Sequence, residues 1–168
     1  MKLTHYSDLG LRMLMYLAMR YENSATIQEV SARFDVSKNH MVKISHHLTL
    51  SGLIESTRGR YGGVRLARPP EDITVEEAFF ATEDNFDLVE CFGPENQCVI
   101  SEVCKLSSVL ENAREAFFGE LRKVSLSDLV RSNKDLEKYL LPFPSNAIRI
   151  SPLPTIKSRP KTKQAKKA

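Results

Sequence analysis

The sequence predicts a mainly α-helical fold that contains one small β-hairpin. Apolar residues recur at helical spacing in several segments, and most of these segments begin at a Ser or Thr that can cap a helix. One short segment instead places strand-forming residues on both sides of a glycine-rich turn, which is typical of a hairpin.

Three helices are expected in the first fifty or so residues. The first covers residues 4–21, and its apolar side consists of Tyr6, Leu9, Met13, Tyr16, Leu17 and Met19. The second begins at Thr26, because Thr26 and Glu29 have capping-box spacing. After a short turn, Ser37 caps a third helix over residues 38–50, which ends before Gly52.

A basic hairpin follows, with strands over residues 53–57 and 63–67 and a tip at 58–62. This order of elements is typical of a winged helix-turn-helix, in which two helices joined by a short turn are followed by a basic hairpin. Such a unit places its second helix in the major groove of DNA. The candidate DNA-binding residues are Ser37, Lys38, Asn39, His40 and Lys43 in the helix and Arg58, Arg60 and Arg65 in the hairpin.

The chemistry of these side chains suits DNA. Lys38 and Lys43 can bind phosphates or guanine, Asn39 can pair with adenine, and His40 can do either. An arginine at a glycine-flanked tip can enter the minor groove. The alternative is a structural helix pair with solvated arginines. The neighbouring His46 and His47 are expected to be surface or boundary residues rather than metal ligands.

Charge is distributed unevenly along the chain. Residues 1–68 carry ten Lys or Arg against five Asp or Glu, and residues 69–148 carry seven against sixteen. The basic first part is therefore the part expected to face a polyanion. No apolar run is long enough to span a bilayer, and His5 and Asp8 interrupt any secretory signal, so a cytoplasmic location is expected.

The middle of the chain predicts a helix over residues 74–81 and a long helix over 102–124, with a capping box at Ser108 and Glu111. No helix of similar length covers the apolar stripe of the long helix, so it is expected to pair with a second chain as a homodimer. Ser127 is expected to cap a short helix that runs through residue 130. The stripe consists of Val103, Leu106, Val109, Leu110, Ala113, Phe117, Leu121 and Val124.

Three functional segments result: a DNA-binding domain over residues 1–70, a cofactor and dimerisation segment over 71–140, and a tail over 141–168. The tail contains five prolines, no acidic residue and many lysines, and it is expected to be disordered. Its charge could add sequence-independent affinity for DNA.

Cys91, Cys98 and Cys104 crowd into 14 residues. In a cytosolic chain, such a cluster indicates metal or redox chemistry more than disulfides. The spacing lacks the Cys-x2-Cys pair of a zinc ribbon, but thiolates also bind iron–sulfur clusters. An iron–sulfur site, a zinc site, thiol redox sensing and inert cysteines all stay open from spacing alone. Beyond the cysteines, nothing supports an enzyme such as a small redox protein or an iron–sulfur oxidoreductase, because neither a phosphate-binding glycine loop nor a catalytic acid–base cluster occurs.

The wing segment at residues 58–63, the three cysteines, and the first helix with its Asp8 resemble the iron–sulfur winged-helix regulators, a family that includes IscR and NsrR. The resemblance covers residues 1–130. IscR-like members carry a histidine three residues after the last cysteine, whereas this chain has Ser107. NsrR-like members have an Asp at the place of Asp8.

The resemblance implies a dimeric repressor that binds a palindromic operator and senses nitric oxide. It also implies that Asp8 of one subunit completes a 4Fe–4S cluster held by Cys91, Cys98 and Cys104 of the other. Without the resemblance, Asp8 is interpreted as a first-turn carboxylate favoured by the helix dipole, or as the partner of Arg12 in an ion pair. The alternatives are a redox or cluster-status regulator with a 2Fe–2S cluster, and a DNA-binding protein that is zinc-bound or free of metal.

Overall fold

The computed structural model describes residues 3–57, 59, 62–83, 85–131 and 133–140. Its helices and strands confirm the predicted class, a helical fold with a single two-stranded hairpin. They are α1 His5–Ala18, α2 Ile27–Phe34, α3 Lys38–Leu50, β1 Ile54–Thr57, β2 Gly63–Leu66, α4 Val75–Phe80, α5 Lys105–Arg122, α6 Leu126–Val130 and α7 Lys134–Leu140. Three-residue 3₁₀ turns lie at Pro70–Asp72, Glu90–Phe92 and Ser101–Val103.

Local capping explains where the first three helices begin. Thr4, Thr26 and Ser37 each accept a backbone N–H three residues ahead, and Thr26 forms the full capping box with Glu29. The predicted starts are thus confirmed. The first helix ends at Ala18 rather than at residue 21, and each strand is one residue shorter than predicted.

Helix α1 lies at the centre of the core and packs against α3, α4, α6 and β2. Its fully buried side chains interlock with those of α3, and residues from both sides of position 70 join the same apolar cluster. This central position means that a displacement of α1 reaches the DNA-binding unit directly. The largest of these side chains are Tyr16, Leu9, Met13, Leu14, Leu17, Met41, Ile44, Leu48, Ile73 and Leu126.

Two predicted caps are wrong. Helix α5 begins at Lys105, after extended Cys104, and Ser108 lies in the helix interior. Helix α6 begins after Ser125, which forms a capping box with Asp128, whereas Ser127 is buried within that helix. The shift to Ser125 has a tertiary reason: residue 75 donates to the Val124 carbonyl and Leu126 donates to the Ile73 carbonyl, and these bonds fix the chain just before α6.

Helix α7 was not predicted, and it packs against the core through Leu136 and buried Leu140. The proposed tail over residues 141–168 lies outside the described residues. None of the helices within the described ranges has the length and apolar character that crossing a bilayer requires.

Candidate nucleic-acid interface and cysteine segment

The polar side chains of α3 that the sequence predicts to contact DNA lie on the face of the helix opposite to its buried side. Ser37 holds its first turn by accepting the backbone N–H of His40 at 3.3 Å. Met41, Ile44 and Leu48 turn inward and are fully buried, so the helix is fixed by its opposite face. Lys38, Asn39 and Lys43 are exposed, which leaves their side chains available to a polyanion.

The turn between α2 and α3 depends on Asp35, whose φ of 52° lies in the left-handed region. Asp is one of the few residues other than glycine that adopt this conformation readily. The amide of Val36 then donates to the carbonyl of Ser31, which closes the turn at 3.0 Å. The turn sets the angle at which α3 leaves α2.

His40 differs from the other predicted DNA contacts because it is half-buried against α1. Its ring lies 5.9 Å from the His5 ring and 6.2 Å from the Tyr6 ring, measured between centroids. His47 also contacts Tyr6, at 5.9 Å, whereas His46 is exposed. Neither His46 nor His47 belongs to a group of metal-binding side chains within the described residues.

The hairpin is anchored to the chain before α2 through the first residues of β2, close to its tip. Strands β1 and β2 are antiparallel, and Ala25 and Val64 exchange backbone hydrogen bonds of 2.9 and 2.8 Å. A side chain at Gly63 would meet the Ala25 carbonyl oxygen at 2.8 Å, so glycine allows this close approach. Arg65 donates to its cross-strand neighbour Glu55, at 2.9 Å, while Arg58 and Arg60 lie outside the described residues.

The first turn of α1 joins the DNA-binding unit to the chain that precedes the cysteines. The backbone N–H of Thr4 donates to Glu83 at 2.8 Å, and the Ser7 hydroxyl donates to the Thr82 carbonyl at 2.8 Å. Burial opposes ionisation of Glu83, but hydrogen bonds from Ser7 and Thr4 outweigh it and hold the pKa of Glu83 below its usual value. The charged carboxylate therefore stabilises this junction.

Asp8 lies on the same turn and forms an ion pair with Arg12, one helical turn further on, at 2.8 Å. Both side chains are substantially exposed, so the pair contributes only about 0.3–0.5 kcal/mol. The pairing predicted from spacing is thus present in the single chain. It is weak enough to be exchanged for another partner of Asp8.

Gly10 allows α1 to approach the end of α4. A Cβ at this position would lie 2.8 Å from the Thr82 methyl carbon. Thr82 is buried, and its hydroxyl donates to the carbonyls of Ala78 and Phe79 at 3.0 and 3.2 Å, so its side chain has little freedom to move. The junction therefore requires glycine at position 10.

Gly10→Ala is expected to lower the free energy of unfolding by about 1 kcal/mol, as measured by urea titration. Overpacking costs about 1–3 kcal/mol, which exceeds a helix-propensity gain of about 1 kcal/mol. Thr82→Ser removes the methyl group and keeps the hydroxyl, so Gly10→Ala should be neutral or stabilising in that background. An equal cost in both backgrounds would contradict the close contact.

The cysteine segment connects α4 to α5 through two 3₁₀ turns. All three cysteines are half-buried and free of disulfides, and the Cys91 sulfur lies 3.9 Å from the Ser107 hydroxyl. Within the residues described, no three His, Cys, Asp or Glu side chains of one chain are grouped closely enough to hold a metal. Cysteine thiolates are the usual ligands of iron–sulfur clusters, so the three cysteines fit such a cluster chemically. To bind one, their sulfur atoms would have to move closer to one another.

An aromatic cluster and one arginine fasten this segment to the helices. Phe86 packs against Phe79 and Phe118 at centroid distances of 5.5 and 5.2 Å. The Arg114 guanidinium lies 5.0 Å from the Phe92 ring and 3.9 Å from Asp87. The segment is thus fixed on both sides of Cys91. Sequence analysis assigned no role to Arg114, and its spacing along α5 carried no signal for one.

Helix α5 carries an apolar face that the described chain leaves open. Leu106 and Val109 of this helix are 61% and 62% exposed, and Val103, in the 3₁₀ turn before it, is 81% exposed. Near the other end of α5, Phe118 is buried against α4, although the predicted stripe contained Phe117 instead. The first half of α5 is therefore the part that no described residue covers.

Solved structures with this arrangement are winged-helix transcriptional regulators. IscR of T. potens superposes with a TM-score of 0.64 at 24% identity, covering 82% of this chain and 90% of its own. CymR, the global cysteine regulator of B. subtilis, gives a TM-score of 0.63 at 23% identity, covering 77% and 96%. Such low identities establish the fold. That fold is a helix-turn-helix pair followed by a two-stranded hairpin, the class of the winged helix-turn-helix proteins.

The chain belongs to the Rrf2 family, described as iron-dependent transcriptional regulators, whose model matches residues 3–132. It is 44% identical over 142 residues to the HTH-type transcriptional regulator NsrR of Bacillus subtilis, covering 83% of this chain and 97% of that protein. The NsrR of Shouchella clausii is 41% identical, with 83% and 95% covered. The chain is accordingly a transcriptional regulator and not an enzyme.

Proposed function

We propose that this protein is a cytoplasmic, homodimeric repressor that binds a palindromic operator and whose DNA affinity depends on an iron–sulfur cluster that senses nitric oxide. The observation that carries the proposal is that one segment holds three free, half-buried thiols and follows directly on residues 82–83, which are hydrogen-bonded to α1. The similarity to NsrR regulators supports the choice of signal.

Cys91, Cys98 and Cys104 would hold the cluster, a 4Fe–4S cluster, and Asp8 of the partner subunit would complete it. When bound, the cluster supplies iron that reacts with nitric oxide. A carboxylate is a weaker ligand for this soft site than a thiolate, which makes Asp8 the ligand that is most readily released. On release, Asp8 can return to Arg12, 2.8 Å away in the single chain.

Lys38, Asn39, His40 and Lys43 are proposed to contact the operator, with Ser37 at the start of the same helix. Phosphate contacts from lysines supply affinity, and Asn39 supplies base recognition. Arg58, Arg60 and Arg65 are proposed to contact DNA from the hairpin. For Arg65 this requires release from Glu55, and the ion pair is partly exposed.

Native mass spectrometry of protein purified without oxygen tests the cofactor. A dimer with one 4Fe–4S mass per chain is the expected result. A 2Fe–2S mass would favour a redox or cluster-status sensor instead. Zinc, or no metal, would contradict the proposed signal and leave the DNA-binding role standing.

Asp8→Ala is expected to make DNA release far less sensitive to nitric oxide, because the cluster then no longer links the cysteine segment to α1 of the partner. The measurement is operator affinity of the anaerobic protein during titration with nitric oxide. Arg12→Ala is the matched control, since it removes the intrachain partner of Asp8 and keeps the proposed ligand. Unchanged sensitivity of the Asp8→Ala protein would refute the coupling.

A further inference from the structure

A directional contact joins α1 to the middle of the recognition helix α3. The Tyr6 hydroxyl donates to the backbone carbonyl of Lys43 at 3.2 Å. The Tyr6 ring lies between two histidines of the same helix, with centroids 6.2 Å from His40 and 5.9 Å from His47. His5 adds an edge contact to His40 at 5.9 Å.

The three positions of α3 that meet Tyr6 are 40, 43 and 47, which lie on one face because they are three and four residues apart. Helix α3 also buries apolar side chains such as Met41 and Ile44. Apolar packing tolerates small sliding, whereas a hydrogen bond to one carbonyl depends on distance and angle. The Tyr6 hydroxyl is thus a directional contact, of the kind that can specify register between α1 and α3.

The same turn of α1 is tied to the chain before the cysteine segment through Thr4 and Ser7. The turn of α1 that carries Tyr6 is therefore bonded to α3 on one side and to residues 82–83 on the other. Its position cannot change without a change in one of them.

We infer that Tyr6 and His40 form a joint that positions the recognition helix, so that Tyr6 is a positioning residue for reading DNA although it lies outside the helix-turn-helix. His40 is held by α1 and aims the first turns of α3. The inference rests on the proposed role of α3 in DNA recognition. It predicts that Tyr6 acts on the discrimination between DNA sequences more than on general affinity for DNA.

The experiment is a double-mutant cycle with full-length Tyr6→Leu, His40→Ala and the double variant. The probes are a duplex selected from a random pool by the wild-type protein and an unselected random duplex. Each single variant is expected to weaken binding of the selected duplex roughly tenfold, and binding of the random duplex less than about twofold. The double variant is expected to lose no more than about twice the larger single loss.

Tyr6→Phe keeps the ring and removes only the hydroxyl, so it tests the joint should the leucine variant fail to fold. It is expected to lower the ratio of selected to random affinity about threefold, in line with one lost hydrogen bond. His46→Ala is the matched control, because His46 is exposed on the same helix and should leave the ratio unchanged.

The inference would be wrong if the double variant lost affinity for the selected duplex by the product of the two single losses. It would also be wrong if Tyr6→Phe left the ratio of selected to random affinity unchanged. Lys38→Ala separates this failure from failure of the proposed function. If Lys38→Ala weakens binding to both duplexes while the Tyr6 variants do not change the ratio, only the joint is wrong. If Lys38→Ala also leaves binding to both duplexes unchanged, the proposed contact of Lys38 with DNA is wrong as well.

Discussion

Cys98→Ala protein purified without oxygen is expected to contain no iron–sulfur cluster. Two thiolates and one carboxylate cannot replace a ligand set of three thiolates, so iron and sulfide per chain should fall to background and the visible absorption should disappear. The affinity for operator DNA should then equal that of cluster-free wild-type protein and should no longer respond to nitric oxide. Metal analysis, absorption spectra and gel-shift titrations measure these effects.

The fold of the Cys98→Ala protein should persist, because Cys98 lies in a partly exposed segment outside the apolar core. Its unfolding free energy should match that of cluster-free wild type within about 0.5 kcal/mol. Ser107→Ala is the matched control, since Ser107 touches Cys91 at 3.9 Å but is not proposed as a ligand. A full complement of iron in Cys98→Ala would disprove the assignment of the three cysteines.

Leu106→Glu combined with Val109→Glu is expected to convert the protein into a monomer. Both residues lie on the open face of α5 and are 61% and 62% exposed in the single chain. A face of this kind is covered by a second copy when two such helices pair, and buried glutamates without partners oppose that pairing strongly. Binding to a two-half-site operator should weaken by roughly 100-fold or more, because the second half-site loses its tethered partner.

Sedimentation equilibrium and operator titrations measure the two effects of the glutamate substitutions. Tyr139→Glu is the matched control, since Tyr139 is a 78% exposed aromatic residue of α7 and carries no proposed contact. It should leave both the dimer and the operator affinity unchanged. A dimer that survives Leu106→Glu with Val109→Glu would show that another surface pairs the chains.

The DNA-binding unit could be predicted well because its signals are local. Thr26, Glu29 and Ser37 satisfy backbone N–H groups within three residues of themselves, so their spacing predicts where α2 and α3 begin. Gly52 has the expected positive φ of 71° at the end of α3. The exposed polar side of α3 follows from the same helical spacing that buries Met41 and Ile44.

The second half of the chain was harder to predict because distant residues compete with local signals. Ser125 and Ser127 both have acceptors suited to capping, and the bonds between residues 73–75 and 124–126 select Ser125. Helix α7 depends on burying Leu140 in a core assembled by other helices, and its own sequence carried no strong periodic signal.

The sequence predicted which side chains form the candidate site, but it did not predict which distant residues they contact. Spacing alone identified Asp8 with Arg12, the three thiols and the exposed face of α3, since each depends on residues close in the chain. The contacts of Tyr6 with Lys43 and of Ser7 with Thr82 join residues 37 and 75 positions apart. These contacts form because α1 packs into the centre of the core. Local spacing in the sequence cannot predict contacts between residues so far apart in the chain.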